Sequence, residues 1–161
     1  MKIMISFPPL KGEGCPMLGQ NRQFQWFNNP SFIYPMVPAS AATLLKKKGH
    51  DVIWNDCIAE RWTYEKFLNF YSKQRPDLIS IETKTPVIKQ HWKIINELKE
   101  IHPDGIIVLM GDHVTALPLE SMQKCQVDYI ITGGDYDFLL DGIIDYIEGN
   151  NNKLPEGVWY R

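Results

Sequence analysis

The sequence predicts an α/β fold, a doubly wound five-stranded parallel sheet, and three observations carry that expectation. Five short apolar runs of strand length recur along the chain. Between them lie segments whose apolar residues repeat at helical spacing. Prolines and glycines punctuate the joints. Strand and helix in alternation call for right-handed crossovers, and near-continuous apolar strands suit a sheet covered on both faces.

Lys2–Phe7 (KIMISF) is the first strand, stopped by Pro8 and Pro9, because proline continues neither regular element. A helix runs from Pro38 to Lys48, with Gly49 just past its end. Asp51–Cys57 is the second strand. Thr63 is placed to cap the next helix, in which Tyr64, Phe67, Leu68 and Tyr71 share one face. Asp77–Ile81 is the third strand. Pro86 opens a helix striped by Ile88, Trp92, Ile95, Leu98 and Ile101. The turn Pro103-Asp104-Gly105 leads into the fourth strand, Ile106–Met110. A short helix, Pro118–Lys124, precedes the fifth strand, Val127–Thr132, and Tyr136, Leu139, Leu140, Ile143 and Ile147 mark the last helix. Such a sheet is Rossmann-like, of the flavodoxin type, with strand order 2-1-3-4-5 and ligands bound beyond the carboxyl ends of its strands.

The chain has 161 residues, the length of one domain, and 44% are hydrophobic, enough for a sizeable core. Its 17 basic and 19 acidic residues are interspersed and leave a net charge of −2, without the basic stripe of a nucleic-acid binder. The one dense basic run, Lys46-Lys47-Lys48, falls in a last helical turn, where cations meet the negative end of the dipole. Cys15, Cys57 and Cys125 are far apart and contain no C-x-x-C pair, so these three alone build neither a zinc site nor an iron–sulfur cluster. They read as free thiols in a reducing compartment. No secretory signal opens the sequence, and no apolar stretch approaches the ~20 residues of a membrane span, so a cytoplasmic location is expected.

The fold sorts the polar residues by sheet edge. At the carboxyl edge lie Pro8–Val37, Ile58–Trp62, Glu82–Thr85, Gly111–Leu117 and Gly133–Asp135. His50 and His102 fall at the opposite edge and His91 within a helix, which leaves His113 as the one histidine on the binding edge. The first strand is followed by neither G-x-G-x-x-G nor a P-loop. No G-x-S-x-G elbow occurs, and Asp56 reads as a strand-end carboxylate. What the edge offers is small and polar: Thr83, Thr85, Gly111, Thr115, Ala116, Gly133 and Gly134. Such residues let a large flat ligand approach the backbone, which suits binding better than acid–base chemistry. The long segment Leu10–Pro35 combines Gly12, Gly14 and Gly19 with Phe24, Trp26, Phe27, Phe32 and Tyr34, a composition for covering a ring or docking a partner.

Five stretches also follow one another in a telling order. The first strand ends in Phe7-Pro8-Pro9, and LLKKKGHDVIWND turns into the second strand. Thr85-Pro86 follows the third strand, GDHVTALP the fourth, and Gly133-Gly134-Asp135-Tyr136-Asp137 the fifth. This series resembles the N-terminal cobalamin-binding domain of cobalamin-dependent radical S-adenosylmethionine enzymes of methyltransferase or cyclase type. The corresponding family patterns are N-P-P, K-x-G-H, T-P, G-G-x-H-x-T-A-L-P and G-E-G-E. Here Asp112 replaces the second glycine, the last turn lacks the glutamates, and Glu82 and Lys84 bring charge where the family often has small or apolar residues.

The resemblance implies a cobalamin-binding domain over residues 1–150, with 151–161 starting a linker to a downstream radical S-adenosylmethionine barrel. It implies a cofactor site of Pro8, Pro9, Thr83, Thr85, Pro86, Gly111, Asp112, His113, Thr115, Ala116, Gly133, Gly134 and Asp135, with no catalytic residue and no metal ligand in this chain. The corrin would lie over the carboxyl edge, with its nucleotide tail beside the loops after strands three, four and five. The Leu10–Pro35 loop would face the barrel. S-adenosylmethionine and an iron–sulfur cluster belong to the downstream domain, since C-x-x-x-C-x-x-C is missing here. The implied function is to hold the corrin for methyl transfer or a related radical reaction such as tetrapyrrole cyclisation. Two other classes stay open: an interaction domain that has lost cobalamin, and a small α/β enzyme using Asp112 and His113 on a nucleotide or phosphate ligand. D-x-H-x-x-G, the cobalt-ligating pattern of methionine-synthase-like domains, is absent, and His113 stays open as axial ligand, loop residue near the corrin, or local structure.

Overall fold

The apolar runs form the central strands of a computed structural model that describes residues 1–18 and 24–161. The elements in chain order are β1 (Lys2–Phe7), β2 (Cys15–Met17), β3 (Gln25–Phe27), α1 (Met36–Lys47), β4 (Asp51–Asp56), α2 (Tyr64–Gln74) and β5 (Leu78–Thr83). A 3-10 turn, Thr85–Val87, leads to α3 (Ile88–Ile101), then β6 (Ile106–Gly111), α4 (Asp112–Ala116), α5 (Pro118–Lys124), β7 (Tyr129–Ile131), α6 (Tyr136–Ile147) and β8 (Val158–Tyr160). The main sheet has the order β4-β1-β5-β6-β7-β8. Its first five strands are parallel and reproduce the expected 2-1-3-4-5 order; β8 adds a sixth, antiparallel strand at the edge.

Alternation along each strand divides the core into two layers. Met4, Ile79, Ile81, Ile107, Leu109 and Ile130 pack against Phe67 and Tyr71 of α2 and Trp92, Ile95 and Leu98 of α3. Ile3, Ile5, Leu78, Val108, Met110 and Ile131 face Ala41 and Leu45 of α1 and Leu140, Ile143 and Ile144 of α6. Each fully buried Ile or Leu among them stabilises the fold by about 1.5–3 kcal/mol. The chain thus crosses from one face of the sheet to the other between β1 and β5, which makes that junction the topological switch point.

Several boundaries differ from the sequence reading, each for a local reason. α1 begins at Met36, two residues before Pro38. Proline is tolerated there because the first-turn N–H groups have no partner within the helix anyway. β5 runs through Glu82 to Thr83, and β6 reaches Gly111. Asp112–Ala116, expected as loop, is a helical turn. β7 is shorter than expected because the Asp128 carboxylate accepts the Ile107 N–H at 2.7 Å, taking the place of a ladder bond. The Leu10–Pro35 segment is not structureless, since β2 and β3 form an antiparallel hairpin within it. Gly19 lies outside the described residues.

The tail also has structure. Val158–Tyr160 pairs with β7, and the Thr132 N–H donates to the Gly157 carbonyl at 2.9 Å. Arg161 donates from Nε to the Val127 carbonyl at 2.9 Å and from its guanidinium to the Met122 and Cys125 carbonyls, capping the C-terminal end of α5.

Gly111 is the glycine on which the carboxyl edge turns. Its φ is 125°, and a Cβ there would stand 2.0 Å from the Thr83 carbonyl oxygen. Gly49 also has positive φ, 92°, but a Cβ there meets nothing within 4 Å. Gly111→Ala is therefore expected to cost about 3 kcal/mol or more, from backbone strain and overpacking together. Gly49→Ala should cost about 1–2 kcal/mol from strain alone. Urea denaturation of the two variants measures the difference; equal losses would contradict the close approach at Gly111.

Candidate functional site

The ends of β5, β6 and β7 open onto a cleft of about 630 Å³. The period of β5 puts Leu78 and its neighbour Glu82 on the face covered by α1 and α6, so Glu82 stands at the inner end of the cleft. Lys84 follows β5. The helical turn α4 presents Asp112 and Thr115, three residues apart, on one side. Gly133 and Gly134 come from the turn after β7, Tyr136 from the start of α6 and Val37 from the start of α1. The cleft therefore sits at the carboxyl edge beside the switch point, the side on which a doubly wound sheet receives ligands.

Its charges form one small cluster. Lys84 Nζ lies 2.7 Å from Asp112 Oδ2 and 3.8 Å from Glu82 Oε1. Glu82 is 1% exposed, and its Oε2 has no hydrogen-bond partner among the described residues. Asp112 is half exposed. Burial pushes the Glu82 carboxyl up to about 7, against the opposing pull of Lys84, with Asp112 adding to the rise. Two carboxylates share one ammonium, so charge balance favours a Lys84–Asp112 ion pair beside a neutral Glu82. The Tyr136 phenol is raised by burial and by the negative potential of Glu82 and Asp112, and stays neutral.

Backbone fixes the opposite wall. The Thr115 hydroxyl donates to the Gly111 carbonyl at 2.9 Å and accepts the Gly133 N–H at 3.0 Å, tying the ends of β6 and β7 together. Gly133 has φ 91°, and neither it nor Gly134 has an atom within 4 Å of a hypothetical Cβ. A ligand can approach this backbone without a side chain in the way. Asp135 is exposed and immediately precedes α6.

The remaining expected residues lie elsewhere. Thr83 is fully buried on the other face of β5, its Oγ1 hydrogen bonded at 2.7 Å to Nδ1 of His91. Burial pushes His91 down to about 3, so the imidazole is neutral; its Nε2 has no partner among the described residues. His113 also points into the core. Its Nδ1 lies 3.3 Å from Thr85 Oγ1, its Nε2 3.1 Å from Glu120 Oε2, and its ring meets Trp92 edge-on. Both nitrogens are therefore engaged, and Asp112 is held by Lys84 rather than by His113. Pro8 is buried, and Pro86 and Ala116 are exposed outside the cleft lining. Pro9 lines a second cleft, about 360 Å³, with Cys15, Arg61 and Trp62.

The aromatic segment is split. Phe24 and Trp26 pack with Phe7, Leu18 and Val87 at the end of the sheet. Phe32, Ile33, Tyr34 and Met36 are exposed, as is Phe138 of α6. Among the described residues no three His, Cys, Asp or Glu side chains are grouped to hold a metal ion, and no helix is long and apolar enough to cross a membrane.

Sequence reasoning left Glu82, Lys84, Tyr136 and Val37 out of the site. For Glu82 a signal was present, a carboxylate directly after the apolar run LISI and close before a lysine. For Val37 and Tyr136 nothing in the local sequence separates them from ordinary core residues.

Comparison with known proteins places these features in context. A family profile described as the B12 binding domain matches residues 31–139. A protein of Pyrococcus horikoshii described as an uncharacterised methyltransferase is 23% identical over 162 aligned positions, covering all of this chain. The chain spans only 33% of that relative's length. Two structures of the radical S-adenosylmethionine methyltransferase TsrM from Kitasatospora setae share the fold. The one with tryptophan substrate and an S-adenosylmethionine analogue bound has a TM-score of 0.70 at 17% identity, over 99% of this chain and 28% of that chain. The one with cobalamin and a [4Fe-4S] cluster bound has a TM-score of 0.69 at 18% identity, over 99% of this chain and 29% of TsrM.

The buried carboxyl makes stability depend on pH. Between its ordinary value of 4.5 and about 7, folded Glu82 holds a proton that the unfolded chain releases. Its contribution to stability is therefore present below that window and lost as pH rises through it. A shift of this size corresponds to at most about 3 kcal/mol. Glu82→Gln should match the wild type near pH 4.5 and become progressively more stable relative to it up to about pH 8. Chemical denaturation across that range checks this; parallel curves for the two proteins would place an ionised Glu82 in the fold.

Proposed function

The chain belongs to the B12 binding domain family, and from that premise we propose that it is the cobalamin-holding module of a longer radical S-adenosylmethionine enzyme that transfers a methyl group. The observation that carries this reading is the open cleft at the carboxyl edge, lined by two glycines and by Glu82, whose buried Oε2 has no partner among the described residues. A polar atom buried without a partner is costly, and a ligand group that meets it removes the cost. The residues present therefore fit a bulky ligand with a polar appendage.

In this reading the corrin spreads over the carboxyl edge and its appendage enters the cleft. Gly133 and Gly134 admit the ligand to the backbone, and Thr115 holds the Gly133 amide in place. Tyr136 and Val37 supply apolar wall. When bound, the cobalt supplies the methyl-carrying chemistry, which the protein orients and shields. S-adenosylmethionine and the iron–sulfur cluster belong to the remainder of the longer protein. The exposed Phe32, Ile33, Tyr34, Met36 and Phe138 are apolar side chains available for a barrel domain to cover. Free thiols at Cys15, Cys57 and Cys125 suit a reducing cytoplasm.

His113, engaged by Thr85 and Glu120, serves as local structure behind the carboxyl edge and does not ligate cobalt. The rival enzyme built on Asp112 and His113 lacks a contact between the two.

The purified chain incubated with hydroxocobalamin under anaerobic conditions and then desalted is expected to retain corrin absorbance near one equivalent. No retained absorbance would overturn the reading. His113→Gln should give the same bound spectrum as the wild type. A shifted spectrum would instead assign His113 to the cobalt.

A further inference from the structure

A residue lining the cleft keeps a buried polar atom that the described residues leave unused. Glu82 Oε2 is buried without a hydrogen-bond partner among the described residues, and Glu82 lines the cleft. The groups facing it from the surrounding elements are Lys84 after β5, Asp112 of α4 and Tyr136 of α6; α1 contributes the uncharged Val37. Lys84 is already committed to Asp112 at 2.7 Å, and that pair is neutral as a unit. An ionised Glu82 would place a second, poorly compensated negative charge at the inner end of the cleft, where burial penalises it. As a neutral acid Glu82 presents an O–H donor instead.

The cleft, about 630 Å³, has the size of a pocket for a heterocycle with its sugar, and Val37 and Tyr136 give it apolar surface. An aromatic heterocycle with an unprotonated ring nitrogen accepts a hydrogen bond and offers flat apolar faces. A carboxylic acid donor beside apolar wall matches both properties. We propose that Glu82, as a carboxylic acid, donates a hydrogen bond to a ring nitrogen of the heterocyclic base that ends the ligand's nucleotide tail, and so selects corrinoids that carry such a base. This rests on the cobalamin reading of the cleft. Burial, which raises the carboxyl to about 7, keeps the donor available on the acidic side of neutral pH.

The assignment predicts a pH-dependent preference. Deprotonation removes the donor and sets a carboxylate against the lone pair of the ring nitrogen. The test compares the Kd of hydroxocobalamin with that of cobinamide, a corrinoid without the nucleotide tail, between about pH 6 and about pH 8.5. This window lies above the range in which a benzimidazole nitrogen itself takes a proton. In the wild type the preference for cobalamin should fall about fivefold to tenfold as pH rises. Glu82→Gln keeps an N–H donor and should hold the preference nearly constant with pH. Glu82→Leu keeps the volume and removes the donor, and should lower the preference about tenfold at the acidic end while leaving cobinamide affinity unchanged.

A preference that rises with pH, or that survives in Glu82→Leu, overturns the assignment and leaves the cobalamin reading intact. Equal losses for both corrinoids in Glu82→Leu also overturn it, by assigning Glu82 to the shape of the cleft. Retention of neither corrinoid by the wild type overturns the cobalamin reading and this assignment with it.

Discussion

Where β5 and β6 end, the backbones of Thr83 and Gly111 approach so closely that no side chain fits between them, and the arrangement of the carboxyl edge follows from that contact. It carries the ladder two residues past the last apolar position of β5, which brings Glu82 into the sheet instead of leaving it in a solvated loop. It aims Gly111 into the helical turn that follows, so Asp112 and Thr115 face the cleft while His113 and Val114 face the core. Thr115 then reaches back to the Gly111 carbonyl and across to the Gly133 amide. One backbone contact thus aligns three strand ends.

Inside that frame, electrostatics and burial oppose each other. A carboxyl at the end of a buried strand loses hydration, and the nearest cation already serves a better-exposed carboxylate. Burial raises the Glu82 carboxyl to about 7, so protonation relieves the conflict below that pH. His91 on the opposite face shows the same pressure with the opposite sign, since burial keeps its imidazole uncharged beside Thr83. Neighbouring positions of β5, Glu82 and the Thr83 that contacts His91, thus carry the same pressure on different faces of the sheet.

The architecture was legible in the sequence because apolar runs and helical stripes are local signals. Alternation gave the doubly wound sheet, and the commonest order of such sheets gave the strand order. The orientation of single side chains was not legible. His113 stands at the edge in sequence, but a helical turn rotates it into the core against Trp92, and rotation of that kind depends on Gly111. Thr83 likewise belongs to the edge by position and to the core by strand parity. Glu82 looked like a loop residue because a charge ends an apolar run, whereas the ladder through Gly111 continues beyond it. The role of Val37 and Tyr136 depends on contacts between distant segments, which no local pattern encodes.

The antiparallel β8 gives the tail a mechanical character. Its three pairs, Tyr129 with Tyr160, Ile130 with Trp159 and Ile131 with Val158, stop one residue short of Thr132-Gly133. This ladder and the Arg161 bonds to the Val127 and Cys125 carbonyls fasten the tail at both of its ends. The tail therefore works as a clamp on β7, the strand that leads into the glycine turn. Peeled away, it would leave the three-residue β7 with a single neighbour and the glycine turn without its brace.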